Sequence, residues 1–154
     1  MITSWRIVKA KYVANAFEGE GARRAGGRWN SRGLAIVYTS ESAALAALEL
    51  LVHLGRSRSL DDYVVFACGF QESLVETVRT RDLPSDWRSH PGPTALRLIG
   101  DQWFKESRSA VLQVPSAVID SESNYLLNPE HRSFRRITIS EPQPFALDLR
   151  LLRQ

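Results

Sequence analysis

The stretch AIVYTSESAALAALELLVHL, residues 35–54, decides the fold class of this chain. Its first five residues are apolar, aromatic or β-branched, and they predict a buried strand. The alanine- and leucine-rich run Ser42–Leu54 predicts a helix that ends at Gly55. Ser40 and Glu41 precede this run, as a capping hydroxyl and an acidic side chain do at a helix start. A strand that leads directly into a helix indicates a domain of mixed secondary structure.

Short strands and one more helix are predicted on both sides of this stretch. The second helix begins at Pro93 or Thr94 and ends near Glu106. The segment Gly19–Gly33 holds five glycines and predicts a loop with tight turns. Many short strands with two clear helices indicate an α+β domain. The strands are predicted over residues 5–8, 35–39, 63–70, 74–78, 111–114, 117–119, 135–139 and 145–149.

The length and the cysteine content set the domain count and the compartment. A chain of 154 residues has room for one hydrophobic core, so a single domain over residues 1–154 is predicted. Its one cysteine, Cys68, cannot form a disulfide within the chain, and it lies in an apolar run that predicts a buried side chain instead of a nucleophile. No stretch resembles a signal peptide or a membrane span, so we expect a cytoplasmic protein that does not bind membranes.

The charge pattern bears on the class of partner. The net charge of +3 suits a phosphate-bearing small molecule or an acidic protein as well as a polyanion. The arginines are scattered and are not interleaved with aromatic residues, so no direct nucleic-acid binding is expected. A basic ribonuclease is the distant alternative. It would use paired histidines for acid–base chemistry, whereas His53, His90 and His131 lie far apart in the sequence.

Glu49 is the first candidate for chemistry. It lies in the middle of an apolar helix, between Leu48 and Leu50, where an unpaired carboxylate would be costly to bury. Either Glu49 lies at the edge of the helix and reaches solvent, or it serves a site. His53, one helical turn later, could pair with Glu49 or fill a structural role.

The segment Gly26-Gly27-Arg28-Trp29-Asn30 is the second candidate. Two glycines expose backbone N–H groups beside a guanidinium, and this combination suits an oxyanion such as a phosphate. The segment lacks the Gly-Lys-Ser/Thr ending of a P-loop and the spacing of a Rossmann fingerprint. A tight turn with a surface arginine is therefore the alternative interpretation.

Arg6 and Ser116 complete the candidates that the residues themselves suggest. Arg6 lies within the first predicted strand, where it is either solvated at an edge or held inward by an anion. Ser116 follows Val114-Pro115, and the proline fixes the path of the chain at the end of a strand. No catalytic Ser/His/Asp arrangement and no zinc-ligand spacing is present, so no metal site is predicted.

Taken together, the motifs of this chain resemble those of the RES domain, the toxin of RES–Xre toxin–antitoxin systems. The resemblance spans almost the whole chain, with its motifs in order. They are Trp5-Arg6, Gly26-Gly27-Arg28-Trp29-Asn30 with Gly33, Val37-Tyr38-Thr39-Ser40, Ala46-Ala47-Leu48-Glu49 with His53, Val114-Pro115-Ser116, Asn124-Tyr125-Leu126-Leu127-Asn128-Pro129, His131 and Asp148-Leu149-Arg150.

The resemblance implies a fold like that of the ADP-ribosyltransferase toxins, with a split, twisted β core, flanking helices and a cleft for NAD⁺. NAD⁺ would be the substrate and not a cofactor. The implied activity is cleavage of the nicotinamide–ribose bond, which depletes cellular NAD⁺ and arrests growth. The arginine, glutamate and serine that name the family correspond to Arg6 or Arg28, Glu49 and Ser116.

The resemblance also implies roles for individual residues. Glu49, Arg28 and Tyr38 are expected to act in catalysis, with Glu49 stabilising the positive charge that develops as nicotinamide leaves. Arg6 and Arg28 would bind the diphosphate or the adjoining ribose oxygens, and Tyr38 would stack on nicotinamide or steer the ribose. The remaining expected substrate contacts are Ser116, Asn30 and Asn128.

A helix-turn-helix antitoxin of the Xre type is the implied partner, and it would cover the cleft in a hetero-oligomer. Two other functions stay open at this point. A protein ADP-ribosyltransferase would use the same NAD⁺ pocket with a protein as the acceptor. A catalytically inactive interaction module is the other alternative, although all the polar positions of the family motifs are present.

Overall fold

A mixed β-sheet forms the centre of the molecule. The computed structural model describes residues 1–54 and 62–152. Within these ranges the strands are β1 (Ile2–Lys9), β2 (Val37–Ser40), β3 (Tyr63–Phe70), β4 (Val75–Thr77), β5 (Val111–Pro115), β6 (Ser123–Leu127), β7 (Thr138–Ile139) and β8 (Gln143–Phe145). The α-helices are α1 (Glu20–Ala25), α2 (Ala43–Leu54) and α3 (Thr94–Lys105). Short 3-10 turns lie at Ala10–Asn15, Glu72–Leu74, Thr80–Asp82, Phe134–Arg136 and Leu149–Leu152.

The sheet divides into two halves between β1 and β2. The strand order is β4-β5-β6-β2-β1-β3-β7, and β8 also pairs with β3. The antiparallel pair β1–β3 is in register along its full length, from Ile2↔Phe70 to Lys9↔Tyr63. By contrast, β1 and β2 pair only at Trp5↔Ser40 in the described residues, and the strands diverge from there. The predicted α+β class and the predicted split in the β core are therefore both confirmed.

Helix α2 covers the two strands at this division. It packs against β1 and β2 and buries Leu45 and Ala46 there. The Ser42 hydroxyl accepts a hydrogen bond from the Leu45 N–H at 3.0 Å and so caps the helix. Leu48 and Val52, further along α2, are exposed. The strand β2 therefore leads within two residues into the helix that carries Glu49.

Helix α3 fixes the glycine-rich loop against the other half of the sheet. Its Leu96 and Trp103 are fully buried in one cluster with Leu112 of β5 and Trp29 of the loop. Burial of a leucine or similar side chain contributes about 1.5–3 kcal/mol to stability. Gly100 brings the helix so close to the loop that a Cβ atom there would overlap the carbonyl group of Trp29. The residues beside Arg28 are thus anchored in the core.

Most predicted elements are confirmed, and several boundaries need correction. Strand β3 spans the predicted residues 63–70, and α2 and α3 agree with prediction within one residue at each described end. Ser42 caps α2, whereas Ser40 belongs to β2, so the predicted cap was placed two residues early. Gly55 lies outside the described residues.

Three predictions of local structure are wrong. The segment 19–33 is not all loop, because a short helix, α1, forms there and ends at Gly26, whose φ of 72° is left-handed. Residues 117–119 form a turn, while the neighbouring strand β6 was not predicted. Residues 146–149 are not part of a strand either, since β8 ends at Phe145. Among the described residues, no helix is both long and apolar enough to cross a membrane.

Candidate active site

A cleft opens beside the division of the sheet, between α2, the glycine-rich loop and the turn after β5. Its volume is about 430 Å³. Arg28, Tyr38 and Glu49, the three residues expected to act in catalysis, all line it. Arg28 comes from the loop, Tyr38 from β2 and Glu49 from α2, so the fold brings together three side chains from separate parts of the sequence.

The carboxylate of Glu49 is held through one of its two oxygens. Oε1 accepts hydrogen bonds from Ser116 Oγ at 2.9 Å and from Asn124 Nδ2 at 2.8 Å. No hydrogen bond from the described residues engages Oε2. Glu49 is half-buried at the wall of the cleft, so the pairing fixes the side chain and leaves one anionic oxygen for a ligand.

Both donors are oriented by their other contacts. The Ser116 hydroxyl is fully buried and accepts the N–H groups of Val118 and Ile119, at 3.1 and 3.2 Å. Its single proton is therefore directed to Glu49. The Asn124 Oδ1 accepts from the Ser40 hydroxyl at 2.9 Å, which turns its Nδ2 towards Glu49. Ser116 thus positions Glu49 and does not itself line the cleft.

Arg28 supplies the positive charge in the cleft. Its Nη1 donates to the carbonyl oxygens of Trp87 at 3.0 Å and of Ser89 at 2.9 Å. The described residues leave Nε and Nη2 without a partner. Partial burial lowers the pKa of Arg28, while the nearby Glu49 acts in the opposite direction and favours the charged form. A guanidinium fixed on one side and open on the other suits an oxyanion.

Tyr38 ties the glycine-rich loop to β2. Its hydroxyl donates to Asn30 Oδ1 at 2.6 Å and accepts the Trp29 N–H at 3.2 Å. Burial raises the pKa of Tyr38 well above its ordinary value, so the hydroxyl stays neutral. The Asn30 amide also donates to the carbonyl oxygens of Ala22 and Ser31. Asn30 is fully buried and holds the loop in shape, and it also lines a second cavity beside the cleft, so its contact with substrate stays a prediction.

Arg6 bridges the division of the sheet. Its Nε donates to the Ala16 carbonyl oxygen at 2.7 Å, and its Nη1 donates to that of Tyr38 at 2.9 Å. Burial lowers the pKa of Arg6 to about 10, so it remains charged at neutral pH. A smaller cavity of about 200 Å³ joins Arg6 to Glu49. Arg6 therefore lies near the Glu49 carboxylate, but its guanidinium donates its hydrogen bonds to backbone carbonyl oxygens.

Asn128 does not lie at the cleft. Asn128 comes directly after the last residue of β6, whereas Asn124 lies near the start of this strand. At the rise of an extended strand, the two residues are about 13 Å apart. Its Oδ1 accepts the Glu130 N–H at 2.9 Å, and its carbonyl oxygen accepts the His131 N–H at 3.1 Å. Asn128 forms a turn there, and the expectation that it binds substrate in this cleft is corrected.

Sequence reasoning missed two features of the cleft. Asn124 was noticed only as part of a motif, although a polar residue at the head of the apolar run 125–127 signals the end of a strand. His53 and His90 both line the cleft in spite of their distance in the sequence, whereas His131 lies elsewhere. The distance between His53 and His90 in the sequence therefore does not show that they are far apart in space.

The charged and aromatic side chains of the cleft define the class of site. The Glu49 carboxylate, with one oxygen that no described residue engages, faces a cleft that also holds the Tyr38 ring and Arg28. Of the Arg28 guanidinium, only Nη1 is hydrogen-bonded to described residues. Such a site can bind an anionic group and stabilise a positive charge that develops nearby. Among the described residues, no three His, Cys, Asp or Glu side chains are arranged so that they could hold a metal ion together.

Comparison with known proteins identifies the family. The family model of the RES domain matches residues 3–148, and the chain belongs to this family. It is 40% identical to Toxin Res of Yersinia enterocolitica over 148 residues, covering 96% of this chain and 97% of that protein. It is 37% identical to the Prs ADP-ribosylating toxin of a Sphingobium species, covering 100% and 99% of the two chains. The chain is thus similar to toxins along its whole length.

A solved structure supports the fold. The chain is similar to one in the crystal structure of the M. tuberculosis MbcT–MbcA toxin–antitoxin complex, with a TM-score of 0.78. The match covers 94% of this chain and 84% of that chain, at 18% sequence identity. At this identity the likeness concerns the fold alone.

Proposed function

We propose that this chain is the toxin of a toxin–antitoxin system and cleaves the nicotinamide–ribose bond of NAD⁺. The observation that carries the proposal is the pairing of Glu49: two donors hold Oε1 and leave Oε2 for a ligand. The similarity to proteins named as toxins, one of them ADP-ribosylating, supports the choice of NAD⁺.

The mechanism follows from the charges that line the cleft. Arg28 binds the diphosphate through its free guanidinium nitrogens and orients the nicotinamide ribose towards Glu49. The bond from the ribose C1′ to the nicotinamide nitrogen breaks, and its electron pair leaves with nicotinamide. The Glu49 carboxylate stabilises the oxocarbenium-like centre that forms at C1′. The Tyr38 ring lines the same cleft and supplies an aromatic surface for the nicotinamide.

The group that attacks C1′ decides the class of reaction. Water gives ADP-ribose and a proton, inorganic phosphate gives a phosphorylated ADP-ribose, and a protein nucleophile gives an ADP-ribosylated protein. The last is the second candidate function, and the 37% identity to an ADP-ribosylating toxin favours it. All three reactions share the same departure of nicotinamide, so they require the same Glu49.

An Xre-type antitoxin is the proposed partner, acting with this chain in the cytoplasm. The similarity of fold to a chain from a toxin–antitoxin complex supports an antitoxin. Leu48 and Val52 are exposed on α2 on either side of Glu49 in sequence, and Val52 also lines the cleft. A partner that buries these side chains would cover the entrance.

Replacement of Glu49 by glutamine tests the proposal. Glu49→Gln keeps the oxygen that accepts from Ser116 and Asn124 but removes the negative charge. We expect NAD⁺ turnover to fall by about 10²–10³-fold or more, with NAD⁺ binding partly retained. The exposed Glu141→Gln provides a matched control with the same loss of charge, and it should act as wild type.

The products separate the alternatives. Purified protein is incubated with adenine-labelled NAD⁺ and a cell lysate, with and without added phosphate. Free ADP-ribose, its phosphorylated form and labelled protein bands report the three acceptors. Turnover by Glu49→Gln at the wild-type rate would contradict the proposal. Salt-sensitive RNA cleavage with intact NAD⁺ would favour the ribonuclease alternative.

A further inference from the structure

A second cavity continues the Glu49 cleft on the far side of Arg28. Its volume is about 680 Å³, and it shares Gly26, Gly27, Arg28, His53 and His90 with the cleft. Glu49 lines the cleft but not this second cavity, whereas Arg32 and Arg97 line the second cavity but not the cleft. The residues therefore follow one another in the order Glu49, Arg28, then Arg32 with Arg97. We call the second cavity the outer pocket.

Among the described residues, the side chains that line the outer pocket carry positive charge and no negative charge. Three of these residues are arginines, and none is an aspartate or a glutamate. Arg32 is exposed and makes no hydrogen bond or ion pair with the described residues, and Arg97 donates only to the Thr94 hydroxyl at 3.1 Å. Of the three, Arg28 also lies near Glu49, whereas no described carboxylate pairs with Arg32 or Arg97, so these two guanidinium groups create a local field that attracts an anion.

Asp101 is a carboxylate close to the outer pocket, but its hydrogen bonds go to Ser31 and not to the arginines. Asp101 of α3 is buried, and it accepts the Ser31 N–H at 2.7 Å and the Ser31 hydroxyl at 2.5 Å. Asp101 lies behind Ser31 and does not line the outer pocket. Ser31, which does line it, is thereby fixed in place. The outer pocket thus has a rigid floor and a cationic wall.

The order of residues matches the order of groups in a nicotinamide dinucleotide. With the nicotinamide ribose at Glu49 and the diphosphate at Arg28, the adenosine ribose extends into the outer pocket. A carboxylate that accepts from the ribose hydroxyls selects the unphosphorylated ribose, because it repels a 2′-phosphate. An arginine at that place accommodates the 2′-phosphate. In the part of the chain that the structure describes, arginines line the outer pocket and no carboxylate does.

We propose that the outer pocket binds a phosphate monoester on the adenosine ribose, and that the chain cleaves NADP⁺ as well as NAD⁺. The proposal rests on the proposed function, since it places the nicotinamide ribose at Glu49. The C1′–nitrogen bond breaks with its electron pair passing to nicotinamide, and water adds its oxygen to C1′ and releases a proton. The 2′-phosphate stays on the product, which is 2′-phospho-ADP-ribose.

Two measurements on the full chain test this proposal. The first compares kcat/KM for NAD⁺ and NADP⁺ by release of nicotinamide. We expect NADP⁺ to be cleaved at least as efficiently as NAD⁺. Arg32→Gln and Arg97→Gln should each lower kcat/KM for NADP⁺ by about tenfold, the cost of one lost charge-assisted contact, and that for NAD⁺ by less than twofold. Arg135→Gln, at an exposed arginine outside both cavities, is the matched control.

The second measurement does not depend on turnover. Adenosine 5′-monophosphate and adenosine 2′,5′-bisphosphate differ only in the 2′-phosphate, and calorimetry gives the affinity for each. We expect the bisphosphate to bind at least about tenfold more tightly, with the difference lost in Arg32→Gln and Arg97→Gln. Retention of the difference in both variants, or equal affinity of the wild type for the two probes, would overturn the proposal.

The two measurements also distinguish this inference from the proposed function. If neither dinucleotide is cleaved but the bisphosphate still binds more tightly, the proposed reaction is wrong and the phosphate subsite stands. If NAD⁺ is cleaved and NADP⁺ is cleaved more than tenfold less efficiently, the proposed reaction stands and the subsite is wrong.

Discussion

A Cβ atom on Gly27 would lie 2.6 Å from the hydroxyl oxygen of Tyr38. It would also lie 2.9 Å from Oδ1 of Asn30, the acceptor of the Tyr38 hydroxyl. Both distances are shorter than ordinary contacts between carbon and oxygen. The glycine is therefore required by close packing, since it lets the loop backbone pass directly over the Tyr38–Asn30 hydrogen bond.

Replacement of Gly27 by alanine should damage both the fold and the cleft. The methyl group must displace the loop or break the hydrogen bond of Tyr38, at a cost of about 1–3 kcal/mol. We expect a lower melting temperature and a higher KM for NAD⁺, because the loop also carries Arg28. Gly21→Ala is the control: apart from its chain neighbours and the backbone of its own helix, no described atom lies within 4 Å of the added Cβ, and alanine favours the helix α1. Equal effects at the two positions would contradict the steric explanation.

Asn124→Asp should impair catalysis by placing a second carboxylate beside Glu49. Two like charges at hydrogen-bond distance favour a shared proton, so the active ionised state forms only at higher pH. We expect the acidic limb of the kcat/KM profile to move to higher pH, with a loss of about tenfold or more at neutral pH. Asn15→Asp adds the same charge at an exposed position and should leave the profile unchanged.

Tyr38→Phe keeps the aromatic ring and removes the hydroxyl that ties the loop to β2. The Trp29 N–H and Asn30 Oδ1 each lose a partner, so the free energy of unfolding should fall by about 1–3 kcal/mol. Denaturant unfolding measures this loss, and Tyr12→Phe, on an exposed tyrosine, is the control. We also expect KM for NAD⁺ to rise more than kcat falls. An unchanged stability would show that the loop does not depend on this hydroxyl.

Arg6→Lys keeps a positive charge but cannot reproduce the bridge across the divided sheet. The guanidinium donates to the carbonyl oxygens of Ala16 and Tyr38 from two nitrogens with fixed geometry, and a single ammonium group lacks this geometry. We expect a loss of about 1–3 kcal/mol in the free energy of unfolding. The exposed Arg135→Lys should cost little. A variant as stable as wild type would assign Arg6 to ligand binding instead.

Cys68 should resist alkylation in the native protein. It is fully buried in β3, and burial raises the pKa of its thiol to about 11. Only the thiolate reacts, so a raised pKa leaves less of the reactive form at every pH below that value. We expect negligible labelling by iodoacetamide at pH 8 and complete labelling in denaturant. Rapid labelling of the folded protein would show that β3 opens locally.

The elements that sequence reasoning predicted well are those with a strong local pattern. Helix α2 is rich in alanine and leucine, and β3 is a continuous apolar run, so each has one favoured conformation. Strand β6 was missed because its register is set by its neighbours: Asn124 lies opposite Ser40 on β2 and Val114 on β5. Helix α1 was missed because its composition resembles that of the loop around it.

For the candidate site, too, local sequence patterns predicted some residues and not others. Glu49 stood out because a carboxylate is unexpected on an apolar helix, and the glycines drew attention to Arg28. Asn30 and Asn128 are both polar and both buried, and only their hydrogen bonds reveal that they hold turns. Which polar residue faces a ligand and which one serves the backbone is decided by tertiary packing, and no local pattern records it.

The long sequence separations within the Glu49 network bear on how this protein is made. Ser116 follows Glu49 by 67 residues and Asn124 follows it by 75. A ribosome therefore releases helix α2 long before it has polymerised either donor. An incomplete nascent chain carries the glutamate without the partners that hold it. A chain that stops before β6 lacks Asn124, so we expect it to leave Glu49 without this donor and to show no cleavage of NAD⁺.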